Sequence, residues 1–213
     1  MHESFIPSVW LGRVDYQEAW DMQQKKQEEI KAGNALSEIF LLEHPDVITM
    51  GRHRDVSSLG PNPETLPFPV VYTNRGGQAT WHGPGQLVSY PVIDLRLFRM
   101  DLHWYLRVLE EAIILTLKEL GIQSGRLEGK TGVWVEGRKI ASIGVGVRSW
   151  ITQHGIALNV DNRLDAFQSF TPCGISGVEM TSIARESGNA PTVQKVGELF
   201  AVHLNQQLNF PAF

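Results

Sequence analysis

An α+β fold, with a mixed and largely antiparallel sheet sandwiched by helices, is predicted by three features of this 213-residue chain. Strand-like runs fall in close pairs separated by turn residues, which favours antiparallel pairing. A few helices with one apolar face are interleaved among them, as covering layers require. No repeat, low-complexity tract or long charge block interrupts the pattern, so residues 1–213 read as a single domain.

Val9-Trp10-Leu11 reads as a short strand. Asp15 with Glu18 makes a capping-box-like start to a helix running to Gly33. Ser37 to Glu43 and Val47 to Met50 read as strands split by a His44-Pro45-Asp46 turn. Gly60 to Pro69 holds four prolines and reads as a loop. Val70 to Thr73 is a strand entering a glycine-rich loop, and Gln86 to Leu95 is the next strand. Asp101 can cap a helix in which Leu102, Leu106, Leu109, Ile113, Leu117 and Leu120 recur at helical spacing until Gly121. Val133-Trp134-Val135, a Glu136-Gly137 turn and Lys139 to Val147 read as a hairpin, with Thr152 to Val160 beside it. Val193, Val196, Phe200 and Leu204 share one face of a terminal helix over 192–208.

Hydrophobic content of 42% and charged content of 20% describe an ordinary globular protein. A net charge of −4 argues against a general nucleic-acid binder. No apolar run approaches the ~18 residues of a membrane span. The start, Met1 to Phe5, shows neither a signal-peptide core nor an Arg-rich transit pattern, so a reducing, cytoplasmic location is expected.

Four segments carry candidate chemistry. Cys173, the single cysteine, sits in Pro172-Cys173-Gly174. It is either an inert small hydrophobe or a nucleophile on a pinned turn. The densest segment is Arg75-Gly76-Gly77-Gln78-Ala79-Thr80-Trp81-His82-Gly83-Pro84-Gly85-Gln86, a glycine-rich loop whose bare backbone lets a ligand approach its N–H groups. It is neither a P-loop nor a dinucleotide fingerprint, lacking the Gly-Lys-Ser/Thr ending and the strand-to-helix spacing. In Arg138 to Val147, strand alternation puts Lys139 on one face with Ala141, Ile143, Val145 and Val147. Ser142, Gly144 and Gly146 fall on the other. Desolvation on an apolar face would make this lysine a ready proton donor, and the alternative is a surface lysine whose stem packs on the sheet. One straight strand cannot aim both faces into one pocket, so Lys139 has to reach round from the strand end or be re-aimed by a bulge. In Gln153 to Val160, His154 reads as a base, a ligand-positioning donor or a satisfied core histidine. The seven histidines contain no tight metal pair.

Taken in order, these segments resemble the lipoyl(octanoyl) transferases. The resemblance rests on Arg75-Gly76-Gly77-Gln78-Ala79-Thr80-Trp81-His82, Lys139-Ile140-Ala141-Ser142-Ile143-Gly144, His154 to Val160 and Pro172-Cys173-Gly174, with Leu42-Glu43-His44-Pro45 and Gly51-Arg52 upstream. It implies the α+β catalytic module shared with biotin and lipoate ligases. It implies transfer of an octanoyl group from octanoyl-acyl carrier protein to a lysine of lipoyl domains, in 2-oxoacid dehydrogenases and the glycine cleavage H protein. In that reading Cys173 carries the acyl group and Lys139 is its partner. Arg75 to His82 (Arg75, Gly76, Gly77, Gln78, Ala79, Thr80, Trp81, His82), Ser142, Ile143, Gly144, Gly155, Ile156 and Ala157 bind substrate, and His154 has a positioning role. No cofactor, ATP or metal is implied, and neither nucleic acid nor membrane is a partner. Asp46 and Met50 depart from the usual family residues and bear on acyl-chain preference.

The same residues suggest Trp81, Ile143, Val145 and Ile156 as walls of an acyl slot. Backbone N–H groups near Gly76-Gly77, Ser142-Ile143 and Gly174 are suggested as oxyanion donors. Arg52, Arg54, Arg75 and Arg148 would form a basic rim for an acidic carrier. Two other classes stay open: an ATP-dependent lipoate or biotin ligase on the same fold, and a non-catalytic module that holds an acyl-bearing domain.

Overall fold

The computed structural model describes residues 5–52, 56–60, 63–171 and 177–209. In chain order its main strands are β1 (Ser8–Arg13), β2 (Glu38–Glu43), β3 (Val47–Met50), β4 (Val70–Tyr72), β5 (Thr80–His82), β6 (Gln86–Val92), β7 (Gly125–Leu127), β8 (Lys130–Val135), β9 (Arg138–Arg148) and β10 (Ile151–Asn159). The helices are α1 (Tyr16–Lys31), α2 (Leu102–Glu119), α3 (Ile183–Ser187) and α4 (Val193–Asn209).

Seven strands form one sheet in the order β1-β2-β6-β10-β9-β8-β7. β1 and β2 run parallel, and every other neighbouring pair is antiparallel. A smaller sheet has the order β4-β3-β5. The two strands split by the His44-Pro45-Asp46 turn therefore enter different sheets. Thr80–His82, expected as loop, is a strand because its backbone pairs with Val47–Thr49. The sequence reading also missed β7 and α3, both too short to show a period.

Caps and turns work as their chemistry predicts. The Asp15 carboxylate accepts from the Gln17 N–H at 2.8 Å and opens α1, and Asp101 accepts from the Trp104 N–H at 3.0 Å and opens α2. Glu136 and Gly137 both have positive φ, as a tight hairpin turn between β8 and β9 demands. Ser149 and Trp150, also at positive φ, make the corresponding turn between β9 and β10.

Two apolar layers sandwich the main sheet. On one face α2 and α4 bury Leu109, Ile113, Phe200 and Leu204 against Leu41, Leu87 and Leu158. On the other, α1 packs Ala19 and Ile30 against Phe40, Leu42 and Val88. Each buried Leu, Ile, Val or Phe among these stabilises the fold by about 1.5–3 kcal/mol. A third cluster gathers Ile48, Met50, Trp81 and Phe167 around the small sheet. The α1 face of β9 and β10 remains next to the glycine-rich loop, and there the candidate residues meet.

Candidate functional site

A β-bulge turns Lys139 to the cleft side of β9, although Lys139 is not among the residues that line the cleft. Val133 pairs with Ala141 and Trp134 pairs with Lys139, so one extra residue is inserted in β9 opposite β8. Ile140 and Ala141 both enter the core under α2 and α4. The phase of alternation therefore shifts, and Lys139 joins the face of Ser142 and Gly144. Its Nζ lies 5.3 Å from the centre of the Trp134 ring, and the residue is only 3% exposed. The aliphatic stem crosses Gly132, where a Cβ would stand 2.8 Å from Lys139 Cε. Gly132 also has a φ of +124°, a conformation other residues rarely adopt. From the α2 side, Glu110 accepts from the Gly132 N–H at 3.1 Å. The backbone of Lys139 is clamped as well. Its N–H donates to Glu179 O at 2.8 Å and its carbonyl accepts from the Thr181 N–H at 2.9 Å.

The glycine-rich loop is shaped by Arg75. The guanidinium is buried and donates to Thr49 O at 2.6 Å, Gln78 O at 2.7 Å and Gly76 O at 2.9 Å. It also donates to the Thr49 hydroxyl. A planar fork suits several carbonyls at once, which a lysine cannot match. The loop is fastened to the sheet by the Gly76 N–H, which donates to Val145 O at 2.9 Å. Two expectations change. Arg75 is an internal organiser of the loop rather than part of a basic rim. The Gly76 N–H is already engaged, so it is not available to an oxyanion.

These elements enclose a narrow cleft of about 50 Å³. Arg75, Gly76, Gly77, Gln78, Thr80, His82, Ser142, Ile143, Gly144, His154, Gly155, Ile156 and Ala157 line it. Ala79 and Trp81 do not; both are fully buried in the third cluster. Val145 packs in the α2–α4 core and is no wall either. Asp46 accepts from the Trp81 indole N–H at 3.2 Å, and Met50 is buried beside that ring, so neither touches the cleft. Cys173 lies outside the described residues, as do Gly174 and Arg54.

Tyr16 and Tyr90 also line the cleft, and sequence reasoning missed both. Tyr16 opens α1, and Tyr90 follows Val88 in the alternation of β6, so each looks like ordinary core. The Tyr90 hydroxyl stands 2.7 Å from His44 Nε2, while His44 Nδ1 stands 2.7 Å from Val14 O. That carbonyl fixes the tautomer: Nδ1–H donates and Nε2 accepts from Tyr90. Burial raises the Tyr16 phenol to about 12 and lowers His44 to about 4. Burial, reinforced by His44 and Arg75, holds His82 well below the usual histidine value. His154 is lowered to about 3 by burial, with Arg75 and Arg52 adding to the effect. All three histidines are therefore neutral at pH 7.

His154 departs from strand geometry with a φ of +57°. Its N–H donates to Gln23 Oε1 at 2.7 Å, and its Nε2 is 2.6 Å from Asn74 Oδ1. Nε2 thus carries the proton, and Nδ1 has no partner among the described residues. Beyond this contact runs a polar groove of about 490 Å³ whose lining includes Lys25, Arg52, Asn74, Arg148 and Gln153. Among the described residues, no three His, Cys, Asp or Glu side chains are grouped to hold a metal ion. No described helix is long and apolar enough to cross a membrane.

This layering defines the catalytic fold of lipoate and biotin ligases. The chain superposes on lipoate-protein ligase A bound with ATP with a TM-score of 0.72 and 16% identity, covering 95% of this chain and 85% of that one. Against biotin protein ligase from Aquifex aeolicus in complex with biotin and ATP the TM-score is 0.58 at 16% identity, covering 95% and 70%. At such identities the likeness concerns the fold alone. Sequence similarity narrows the class. Residues 15–205 match the family model of the lipoyl protein ligase A/B catalytic domain. An octanoyltransferase of Geobacter sulfurreducens is 49% identical over 185 residues, which is 87% of this chain and 77% of that one. The chain belongs to the octanoyltransferase family and is an acyltransferase.

Proposed function

We propose that residues 1–213 act as one catalytic domain that moves an octanoyl group from octanoyl-acyl carrier protein to a lysine of lipoyl domains. The acceptors would be those of 2-oxoacid dehydrogenases and the glycine cleavage H protein, in the cytoplasm, at the first step of endogenous protein lipoylation. The observation that carries the mechanism is the bulge that turns Lys139 onto the cleft face. Met180 is bridged to Lys139, and Cys173 precedes Met180 by only seven residues.

Free cysteine has a pKa of about 8.5, so a neighbouring ammonium is needed to hold a useful thiolate fraction at neutral pH. The Lys139 ammonium supplies it. Cys173 attacks the thioester carbonyl of the carrier's pantetheine arm, forming a new C–S bond. The old C–S bond breaks, and Lys139 gives a proton to the departing thiolate. The acceptor lysine amine then attacks the Cys173 thioester. Its surplus proton passes to neutral Lys139, and the Cys173 thiolate leaves. One thioester replaces another in the first half, and an amide replaces a thioester in the second, so neither ATP nor metal is invoked. The Ser142-Ile143 backbone remains an oxyanion candidate. Lys25, Arg52 and Arg148 line the outer groove with Asp21 and Glu28, and Arg148 is paired with Glu28 at 2.9 Å, so the rim offered to an acidic carrier is only weakly positive.

Incubation with octanoyl-acyl carrier protein, without acceptor, should leave a hydroxylamine-sensitive octanoyl adduct on Cys173 by mass spectrometry. Transfer at full rate by Cys173→Ala would overturn the mechanism. Activity that required ATP and free octanoate would replace it with a ligase.

A further inference from the structure

We infer that His154, backed by Tyr16 and Tyr90, is the end stop of the acyl slot and sets the longest chain this protein transfers. This rests on the acyl-transfer reading above and adds to it the structural basis of chain-length choice.

The register of the hairpin supplies the ruler. Val133 pairs with Ala141, so Gly132 stands level with Ser142. Lys139 Nζ lies 3.3 Å from the position a Cβ on Gly132 would take, so the ammonium is level with Ser142 too. Ser142 pairs with Ala157, Gly144 with Gly155, and Val145 with His154. From Ser142 to Val145 is three residues, about 10 Å of strand. An extended octanoyl chain, with carbon–carbon bonds of about 1.5 Å, spans about 9 Å from carbonyl carbon to methyl. An acyl carbonyl near Nζ therefore places the methyl between the level of Gly144 and Gly155, about 7 Å along the strand, and that of Val145 and His154, about 10 Å. The next group met is the His154 ring.

Between those levels the floor is bare. Gly144 and Gly155 add no side chain to the floor and both line the cleft, with Gly76 O and Arg75 packed close over Gly144 and Ser89 O close against Gly155. At the far end the rings close it. Tyr90 meets His154 edge-on at 6.2 Å between centroids, Trp20 lies 5.8 Å from His154, and Tyr16 stacks on His82 at 6.0 Å. The left-handed backbone at His154 breaks the alternation of β10, and its imidazole is held by Asn74. Asn74 lines the outer groove and His154 lines the inner cleft. This hydrogen-bonded pair is thus the partition between the two. The ring is neutral, so the wall facing a terminal methyl carries no charge.

His154→Gly removes the partition while keeping a residue suited to positive φ. Acyl carrier proteins bearing six-, eight-, ten- and twelve-carbon chains would be presented without acceptor, and Cys173 acylation rates read by mass spectrometry. The decanoyl-to-octanoyl rate ratio should rise by at least about ten-fold, since a methylene accepted or refused by an apolar pocket changes rates by ~10–200-fold. Gly144→Ala tests the ruler from inside the slot. Its Cβ would stand 3.0 Å from Gly76 O and 3.2 Å from Arg75 Cδ, so the glycine-rich loop has to give by a few tenths of an ångström to admit it. It should move preference toward hexanoyl by a similar factor. A folded His154→Gly protein with the wild-type chain profile overturns the inference, and if that variant does not fold, an unmoved profile in Gly144→Ala does so. Absence of any Cys173 adduct in the unmodified protein, whatever the chain, overturns the transfer reading and the ruler with it.

Discussion

Lys139 and His154 lie on paired strands of one hairpin, and each breaks the regularity of its strand by a different device. At Lys139 an inserted residue shifts the phase, so a side chain that alternation assigns to the core face turns to the cleft. At His154 the residue count is kept, and a single left-handed backbone re-aims one ring. The bulge displaces every later position relative to Lys139, whereas the left-handed residue leaves the pairing of Ile156 with Ile143 intact. A bulge thus turns Lys139 to the face of Ser142 and Gly144 while the strand beyond keeps its alternation, and a positive φ re-aims one ring without disturbing its neighbours' pairing. In the proposed mechanism the first device serves chemistry, and in the further inference the second serves selection.

The largest expected effect lies at the bulge. Lys139→Ala should lower the acyl-transfer rate by about 10²–10⁴-fold, the usual range for loss of a positioned proton carrier. Thiol alkylation against pH should show the Cys173 pKa raised in this variant; an unchanged profile removes the dyad. Next comes the support of Lys139. Gly132→Ala places a Cβ 2.6 Å from Ala141 O at a strained φ and should destabilise the fold by about 2–4 kcal/mol in denaturant unfolding. The His154 substitutions should by comparison alter chain preference more than the octanoyl rate, and equal losses at both sites would dissolve the contrast.

Arg75→Lys removes the fork that gathers Thr49 O, Gln78 O and Gly76 O. Hydrogen bonds from a charged donor contribute about 1.5–3 kcal/mol each, and part of that should be lost as a lower melting temperature. The smallest effect is on pH dependence. Burial keeps His44 near 4 and His154 near 3, below the unfolded value of about 6.5. The unfolded chain therefore binds more protons as pH falls below about 6.5, and stability declines from there down toward the folded values. The slope is on the order of 1 kcal/mol per pH unit for each histidine, and His154→Gly should flatten it in thermal unfolding between pH 7 and 5.

Much of the fold was legible because its signals are local. Asp15 and Asp101 announce their helices, Glu136-Gly137 announces a hairpin, and the spacing of Leu109, Ile113 and Leu117 announces a buried face. The segment 75–82 and the small-residue face of Ser142 and Gly144 declared themselves by composition, Gly155 to Ala157 followed only from the family resemblance, and the structure brings most of them to one cleft. Tyr16 and Tyr90 stayed hidden, since each looks like core until α1 and β6 are packed together. Trp81 misled for the opposite reason: its chemistry suggested a slot wall, but pairing with Ile48 turns it into the third cluster.

By itself the sequence determined the longer elements, their caps, and the residue types available for acyl transfer, because periodicity and turn chemistry act over a few residues. Only the tertiary structure decided where Lys139 and His154 point. Strand alternation fixes a side chain's face only while the ladder is regular. The bulge opposite Trp134 and the left-handed turn of His154 are set by which strands lie beside them, and that is a long-range fact.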